Sequence, residues 1–265
     1  MITETSFPEK SLQSVLKEYY CIRIQNDSVI KHIPIIDDCC YDFVFFKEMD
    51  ADFFYGSKTE FIPINNQVFT IHGLKPPYKI AIRNTLTFFA IKVQPWANSH
   101  FFYNVKTRGV VDLATFDSGL LDLHENLFKE QPLGSRYSIA DQYMLNKCIR
   151  LTPTMEVVKA LCLYIYDKQG VLTVNDLSAV FNKSRQYLNK VFKKEVMYGL
   201  KKFIITVRIL ALVKHKIKNA DISLTQLSYE FGYFDQSHFI RDFKNVCGVT
   251  PRYFFNNIPE FILRH

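Results

Sequence analysis

Several features are scarce in this chain of 265 residues, and each scarcity excludes a class of protein. Only 9 glycines and 10 prolines occur, which excludes collagen-like and low-complexity sequences. No run of about eighteen apolar residues is found, and the N-terminus has no basic stretch followed by an apolar one. We therefore expect neither a membrane-spanning helix nor a secretory leader, and predict a soluble, cytoplasmic protein.

Cysteine is present without the spacing that a metal or redox site needs. The chain has no CxxC pair, and the adjacent Cys39 and Cys40 are poorly oriented for a mutual disulfide. Free, buried thiols are usual in a reducing compartment. We expect that state for Cys21, Cys39, Cys40, Cys148, Cys162 and Cys247.

Histidine likewise lacks a catalytic or metal-binding pattern. His32, His72, His100 and His124 show neither HxH nor HExxH spacing, and no acidic partner completes a ligand set. A glycine-rich phosphate loop and a nucleophile elbow are also missing from the sequence. The sequence therefore predicts no metal site, no cofactor and no enzymatic activity.

Positive charge is what the chain does have, and it is concentrated in one part. Residues 151–265 contain 17 Lys and Arg against 9 Asp and Glu, whereas residues 1–150 contain 16 against 17. All of the net charge of +7 therefore belongs to the C-terminal part. A cationic domain is typical of a protein that binds a polyanion, although a solvated basic surface would give the same count.

The N-terminal part has the composition of short β-strands followed by helices. Aromatic and β-branched segments between about Cys21 and Pro95 predict a small antiparallel barrel or sandwich; they are YDFVFF, DFFYG, EFIPI, QVFTIHG, YKIAI and LTFFAIKV. Apolar residues spaced by three and four predict helices over 116–129 and 137–150, and Pro153 interrupts the pattern. The predicted units are a β-rich domain over 1–115, a helical linker over 116–152 and an all-helical domain over 153–265.

Polar caps predict where the C-terminal helices begin. Thr173, Ser184 and Asp235 each precede an amphipathic segment, and Ser223 with Gln226 fits a capping box. A long helix is predicted over 200–218, and Thr250 followed by proline predicts a short last helix.

A unit of about thirty residues occurs twice among these helices. The matched pairs are Leu177 with Leu227, Phe181 with Phe231, Ser184 with Asp235, Leu188 with Phe239, and Phe192 with Phe243. The offset is 50 before the turn and 51 after it, so one copy has gained a residue in the turn. Each copy has the pattern of a helix-turn-helix unit, whose second helix, the recognition helix, enters the major groove of DNA.

A recognition helix needs an apolar inner face and a polar outer face that can pair with base edges. In the first copy Leu188, Val191 and Phe192 are predicted to point inward, and in the second Phe239 and Phe243. Gln, Asn, Arg and Lys on the outer faces are the side chains that pair with adenine and guanine. Any exposed helix has such a face by chance, so the argument depends on two copies in register.

At these residues the sequence resembles the DNA-binding domain of the AraC/XylS family of bacterial transcription regulators. The matching segments are LTVNDLSAVFNKSRQYLNKVFKK, RIL around Arg208 and ISLTQLSYEFGYFDQSHFIRDFKNVCGVTPRYF. The resemblance implies sequence-specific binding of promoter or operator DNA, with RNA polymerase as a partner and a location at the nucleoid. The DNA-binding residues that it implies are Arg185, Gln186, Asn189, Lys190, Lys193, Gln236, Ser237, His238, Arg241 and Thr250.

The first copy departs from the family pattern at two positions. Met197 stands where glycine usually closes the recognition helix in a left-handed conformation, so we expect this helix to end differently. Gly199 stands where a hydroxyl residue usually contacts phosphate. We therefore expect unequal contributions, with the second copy the stronger.

The N-terminal part more loosely resembles the cupin-like sensor domains that precede this DNA-binding domain in one group of regulators. That resemblance implies a small-molecule effector or a homodimer, and Trp96, Phe101, Phe102 and Tyr103 are candidates for lining an effector pocket, although aromatic clusters are more often plain core. The predicted fold class is α+β, with an antiparallel β-barrel, a helical linker and a tandem helix-turn-helix domain. Two alternatives stay open: a non-specific nucleic-acid binder, and a sensor that uses its helices only for protein interaction.

Overall fold

The computed structural model describes residues 2–25, 31–36, 38–55, 62–63, 66–73, 78–130, 132–147 and 149–258. Within these ranges an antiparallel sheet is followed by a set of helices, so the predicted α+β class is confirmed. The strands are β1 Ile2–Ser6, β2 Leu16–Gln25, β3 Lys31–Ile35, β4 Asp42–Tyr55, β5 Ile62–Pro63, β6 Val68–His72, β7 Tyr78–Val93 and β8 Gly109–Asp112.

The sheet is organised around its two longest strands, β4 and β7. They pair with each other along most of their length, and the main path of the sheet runs β1-β2-β7-β4-β6-β8. Two strands lie off that path: β3 pairs with β7, and β5 pairs with β4. The sequence predicted each long strand as two short ones. Register shifts after Phe46 and Met49 let β4 bend and continue where a turn was expected.

Ten helices follow within the described residues. They are α1 Asn98–Phe102, α2 Gly119–Phe128, α3 Leu133–Leu145, α4 Pro153–Asp167, α5 Val174–Val180, α6 Arg185–Val196, α7 Leu200–Lys218, α8 Leu224–Glu230, α9 Gln236–Cys247 and α10 Pro251–Asn256. A turn of 3-10 helix, Pro95–Ala97, precedes α1. The helix predicted over 137–150 is α3, which begins four residues earlier than expected, directly after Pro132, and ends five residues earlier, at Leu145.

The predicted caps of the C-terminal helices are confirmed. Ser184 and Asp235 each accept a hydrogen bond from the backbone N–H three residues on, at 3.2 and 2.7 Å. Thr173 and Ser223 both open complete capping boxes, with Asp176 and Gln226 respectively. Short polar side chains thus fix the start of α5, α6, α8 and α9.

Among the described residues, two hydrophobic clusters contain the buried apolar side chains of the C-terminal helices. The first runs without a break from Leu12 in the N-terminal part through α4 and α6 to Val207 in α7. The second begins at Ile209 and contains α8, α9 and α10, with Ile36 of the β3–β4 loop packed against it. The first half of α7 therefore packs in the first cluster, and its second half packs in the second cluster. The first helix-turn-helix unit shares a core with the sheet, whereas the second has a core of its own.

The described cysteines are buried, and the described histidines of the candidate metal set are hydrogen-bonded. Cys21, Cys39, Cys40, Cys162 and Cys247 are buried free thiols, as predicted, and Cys148 lies outside the described residues. The side chain of His32 also lies outside them. Each remaining histidine of the candidate set has a hydrogen-bond partner: His72 with Tyr41 at 2.6 Å, His100 with the Lys147 carbonyl at 2.9 Å, and His124 with the Phe46 carbonyl at 2.6 Å.

The described residues contain neither a metal-binding cluster nor a helix that could span a membrane. No group of three or more His, Cys, Asp or Glu is placed to hold a metal ion there. Among the same residues, no helix combines the length and the apolar character that crossing a bilayer requires.

Candidate nucleic-acid interface

The two helix-turn-helix units, α5–α6 and α8–α9, have the same construction. Helices α5 and α8 are seven residues long, and α6 and α9 are twelve. The turn between them is one residue longer in the second unit, as the change of offset from 50 to 51 predicted. Asn182 in the first turn and Gly232 in the second both have positive φ, at 48° and 73°. The repeat in the sequence is therefore a repeat of backbone structure.

The outer face of α6 carries the predicted polar residues on the surface. The side chain of Arg185 donates to Asn175 Oδ1 at 3.2 Å, and that of Asn189 donates to the Arg185 carbonyl at 2.8 Å. These contacts orient two of the predicted base-pairing side chains before any ligand arrives. The exposed residues of this face are Arg185, Gln186, Asn189, Lys190 and Lys193.

An open groove of about 580 Å³ lies beside this face. Its walls come from the start of α5, the outer face of α6 and the start of α7. The residues that line it are Thr173, Val174, Asn175, Arg185, Gln186, Asn189 and Lys201. It is shallow and open to solvent, and every residue that lines it except Val174 has a polar side chain.

The outer face of α9 carries three of the predicted residues on the surface. Gln236, Ser237 and Arg241 are exposed, and Gln236 also bonds to the Thr225 hydroxyl of α8. His238 differs, because its ring lies edge-on to Tyr233 and its Nε2 is 3.3 Å from the buried Asp242 carboxylate. The structure thus brings the predicted α9 residues to one surface, where His238 is half-buried against Tyr233 and Asp242.

Both recognition helices end in the left-handed conformation, so the expectation of a different end for α6 is wrong. The φ of Met197 is 65° and that of Gly248 is 75°, and each N–H bonds back to the carbonyl four residues earlier. Methionine adopts this conformation at a steric cost that glycine does not have.

The next helices begin differently in the two copies. Gly199 caps α7 without a side-chain hydrogen bond, whereas the Thr250 hydroxyl accepts one from Tyr253 N–H at 3.3 Å at the start of α10.

Arg208, at the middle of α7, connects the two units. Its guanidinium donates to the carbonyls of Gly170 and Leu172 before α5, at 2.8 and 3.1 Å. The same group lies over the ring of Tyr233, in the turn of the second unit, 5.2 Å from the ring centre. Burial raises the pKa of the Tyr233 hydroxyl, so the ring stays neutral. A planar, permanently charged group suits both contacts.

Lys201 is a candidate contact that sequence reasoning missed. It is exposed in the first turn of α7 and lines the groove with Arg185 and Asn189. The offset of 51 places Arg252 at the matching position in α10, where it is also exposed. The sequence contains a signal for this contact, because both copies of the repeat have a basic residue two positions after the cap of the next helix.

The proposed effector-pocket residues differ in their burial. Trp96 and Phe102 are buried in the first cluster, and Trp96 donates to the Ser14 carbonyl at 2.8 Å. Tyr103 is 67% exposed, with Lys106 stacked on its ring at 3.9 Å. Phe101 is half-buried against Phe43. Their positions support the plain-core alternative for Trp96 and Phe102.

Comparison with known proteins agrees with this geometry. Residues 177–257 match the helix-turn-helix domain family. The Msm operon regulatory protein of Streptococcus mutans is 33% identical over 89 residues, which are 34% of this chain and 32% of that protein. An uncharacterised helix-turn-helix regulator of Pseudoalteromonas carrageenovora is 30% identical over 121 residues, which are 45% of this chain and 66% of that protein. The chain thus spans less than two thirds of either relative.

Among solved structures, ToxT of Vibrio cholerae has 14% identity and a TM-score of 0.47, covering 98% of this chain and 100% of ToxT. The C-terminal domain of AraT, a response regulator of Geobacillus stearothermophilus, has 23% identity and a TM-score of 0.36, covering 43% of this chain and 93% of that domain.

Proposed function

We propose that this chain is a transcription regulator of the AraC/XylS type and that it binds double-stranded DNA at specific sites; the helix-turn-helix match over residues 177–257 and the two regulator relatives support the proposal. Helices α6 and α9 enter two successive major grooves. Their exposed polar residues pair with base edges, and the surrounding Lys and Arg contact phosphates. The N-terminal part modulates this binding, and no catalytic step is proposed.

The observation that best supports the proposal is that one long helix, α7, connects two recognition helices of the same length, α6 and α9. With 19 residues at about 1.5 Å each, α7 is about 28 Å long. Successive major grooves on one face of DNA are about 34 Å apart. The spacer is somewhat shorter than the repeat of the duplex, so bent or deformable DNA should bind better than stiff DNA.

The other partners follow from the family and are part of the proposal. A regulator of this class acts on transcription by contact with RNA polymerase at the promoter, in the cytoplasm at the nucleoid. A small-molecule effector or a homodimer would act through the N-terminal part. The continuous core between the sheet and the first unit gives that part a direct mechanical connection to α6.

The proposal is tested by selecting duplexes that bind the full chain from a random library. The selected duplexes are then analysed by hydroxyl-radical footprinting. We expect a shared sequence and two protected segments about one helical turn apart on one face of the DNA. Equal binding of selected and scrambled duplexes, with no discrete footprint, would instead support a non-specific polyanion binder. Absence of any DNA binding would leave the helices as a protein-interaction module.

A further inference from the structure

Asn98 connects the N-terminal part to the end of the first recognition helix. It is fully buried, and its side-chain amide donates to the carbonyls of Cys39 at 3.1 Å and Val196 at 2.9 Å. Its Oδ1 accepts from the backbone N–H of Tyr41 at 3.3 Å. Val196 is the last residue of α6, where a helix has carbonyls without partners inside the helix. A residue outside the C-terminal domain therefore supplies the donor for that carbonyl.

The neighbouring residue makes a second contact of the same kind. The hydroxyl of Ser99 donates to Glu195 Oε2 at 2.6 Å, and Glu195 is a carboxylate that is only 4% exposed. A buried carboxylate without such partners is costly. Its exposed neighbour Lys194, at 3.2 Å, provides the counter-charge. Two successive residues at the start of α1 thus bind two successive residues at the end of α6.

The repeat shows that these features are particular to the first unit. The offset of 51 matches Glu195 with Val246 and Met197 with Gly248. In the second unit both positions have the residues expected of an independent helix end, namely a buried apolar side chain and a glycine in the left-handed conformation. In the first unit a polar residue and a strained methionine replace them, immediately beside Asn98 and Ser99.

We propose that Asn98 is a positioning residue that holds the end of α6, and that the N-terminal part controls DNA binding through the first recognition helix alone. The conformation of Met197 is strained, and the contacts with Asn98 and Ser99 compensate for it. Any change that moves the start of α1 would release the end of α6 and leave α9 in place. This inference rests on the proposed function only in its consequence for DNA.

Hydrogen exchange of the full chain, followed by mass spectrometry without DNA, tests the contact. In the Asn98→Ala variant we expect peptides covering 190–198 to exchange about tenfold faster, the effect of losing a typical buried hydrogen bond, with peptides over 241–249 unchanged. Asn219→Ala is the matched control, because that exposed amide only donates to the His215 carbonyl of its own helix, at 3.0 Å. Unchanged exchange over 190–198 would overturn the inference.

The Met197→Gly substitution provides the rescue. Added to Asn98→Ala, it should return exchange over 190–198 to within about twofold of the wild type, since glycine needs no external support in this conformation. Because Met197→Gly alone should also stabilise the protein, its effect on exchange over 190–198 must be larger in the Asn98→Ala background than in the wild type; an equal effect in both would contradict compensation by Asn98. Should Asn98→Ala not fold, Ser99→Ala is the milder variant, and it should accelerate the same peptides to a smaller degree.

Footprinting on the duplex selected by the wild-type chain tests the consequence. Asn98→Ala should lose protection in the one groove that Asn189→Ala also loses, and the double variant with Met197→Gly should regain it. If Asn98→Ala protects both grooves as the wild type does, control through α6 is wrong. If the wild type selects no duplex, the proposed function fails while the exchange result stands by itself.

Discussion

Met197 and Gly248 end the two recognition helices in the same left-handed backbone conformation, with φ values of 65° and 75°. Because a left-handed non-glycine residue costs about 1–2 kcal/mol, we expect Met197→Gly to raise the free energy of unfolding by about 1 kcal/mol. Urea denaturation with the wild type as reference measures this. The reciprocal change, Gly248→Met, should destabilise the protein by a similar amount. A loss of stability on Met197→Gly would show that the methionine side chain contributes more packing than its backbone costs.

Why was this helix end predicted wrongly? The sequence shows that Met197 is not glycine, and from local preferences alone the helix should end otherwise. The compensation comes from Asn98, which is 99 residues before Met197 in the chain and donates to the neighbouring Val196 carbonyl. Local patterns predicted the caps at Ser184 and Asp235 because each cap bonds within its own turn. Contacts between distant segments leave no comparable local signal.

Arg241 is the residue of α9 whose side-chain chemistry best fits recognition of a single base. It is exposed on the outer face, and arginine pairs with guanine through two hydrogen bonds. We expect Arg241→Ala to cost about 1–3 kcal/mol on the selected duplex and to relax the preference at one base pair. Competition binding with duplexes changed at single positions measures both effects. An equal loss on specific and scrambled duplexes would assign Arg241 to phosphate contacts.

Lys201 should behave in the opposite way. It lies at the start of α7 in the groove beside α6, where a point charge without a bidentate partner suits a phosphate. Lys201→Ala should weaken binding to all duplexes alike and flatten the slope of log affinity against log salt by about one. Arg252→Ala, at the matching position of the second unit, should give the same change. Binding measured over a series of salt concentrations decides, and a sequence-dependent loss would contradict the phosphate role.

The β-sheet was predicted less well than the helices, for a physical reason. The pattern of aromatic and β-branched residues located β4, β5, β6 and β7, but it split β4 and β7, gave no segment for β2 or β3, and did not reach β1 or β8. Strand pairing depends on partners far along the chain, such as Glu4 opposite Cys21, and on bulges that let a strand bend without ending. In the groove beside α6, the sequence predicted the α6 residues but not Thr173 or Lys201, because these two residues belong to other segments of the chain.

Asp42, at the start of β4, makes stability depend on pH. Burial raises its pKa to about 7; the nearby Lys92 opposes that shift and Asp38 adds to it. Among the described residues its Oδ1 atom is buried without a hydrogen-bond partner. The unfolded chain loses this proton near the ordinary value of 3.8, whereas the folded protein keeps it to about 7. The free energy of unfolding should therefore fall as the pH rises from about 3.8 to about 7. Above about pH 7, Asp42 is ionised in both states and should add no further pH dependence.

Asp42→Asn removes this penalty and keeps the shape of the side chain. Because the residue as a whole is partly exposed, we expect a gain of about 1–2 kcal/mol in unfolding free energy at pH 8, a smaller gain at pH 5 and little at pH 3. Denaturation with urea at the three pH values measures the trend. Asp122→Asn, on the exposed face of α2, is the control and should change stability equally little at each. A gain from Asp42→Asn that does not grow with pH would mean that Asp42 is ionised in the folded protein, held by Lys92, and that its burial is balanced by that charge.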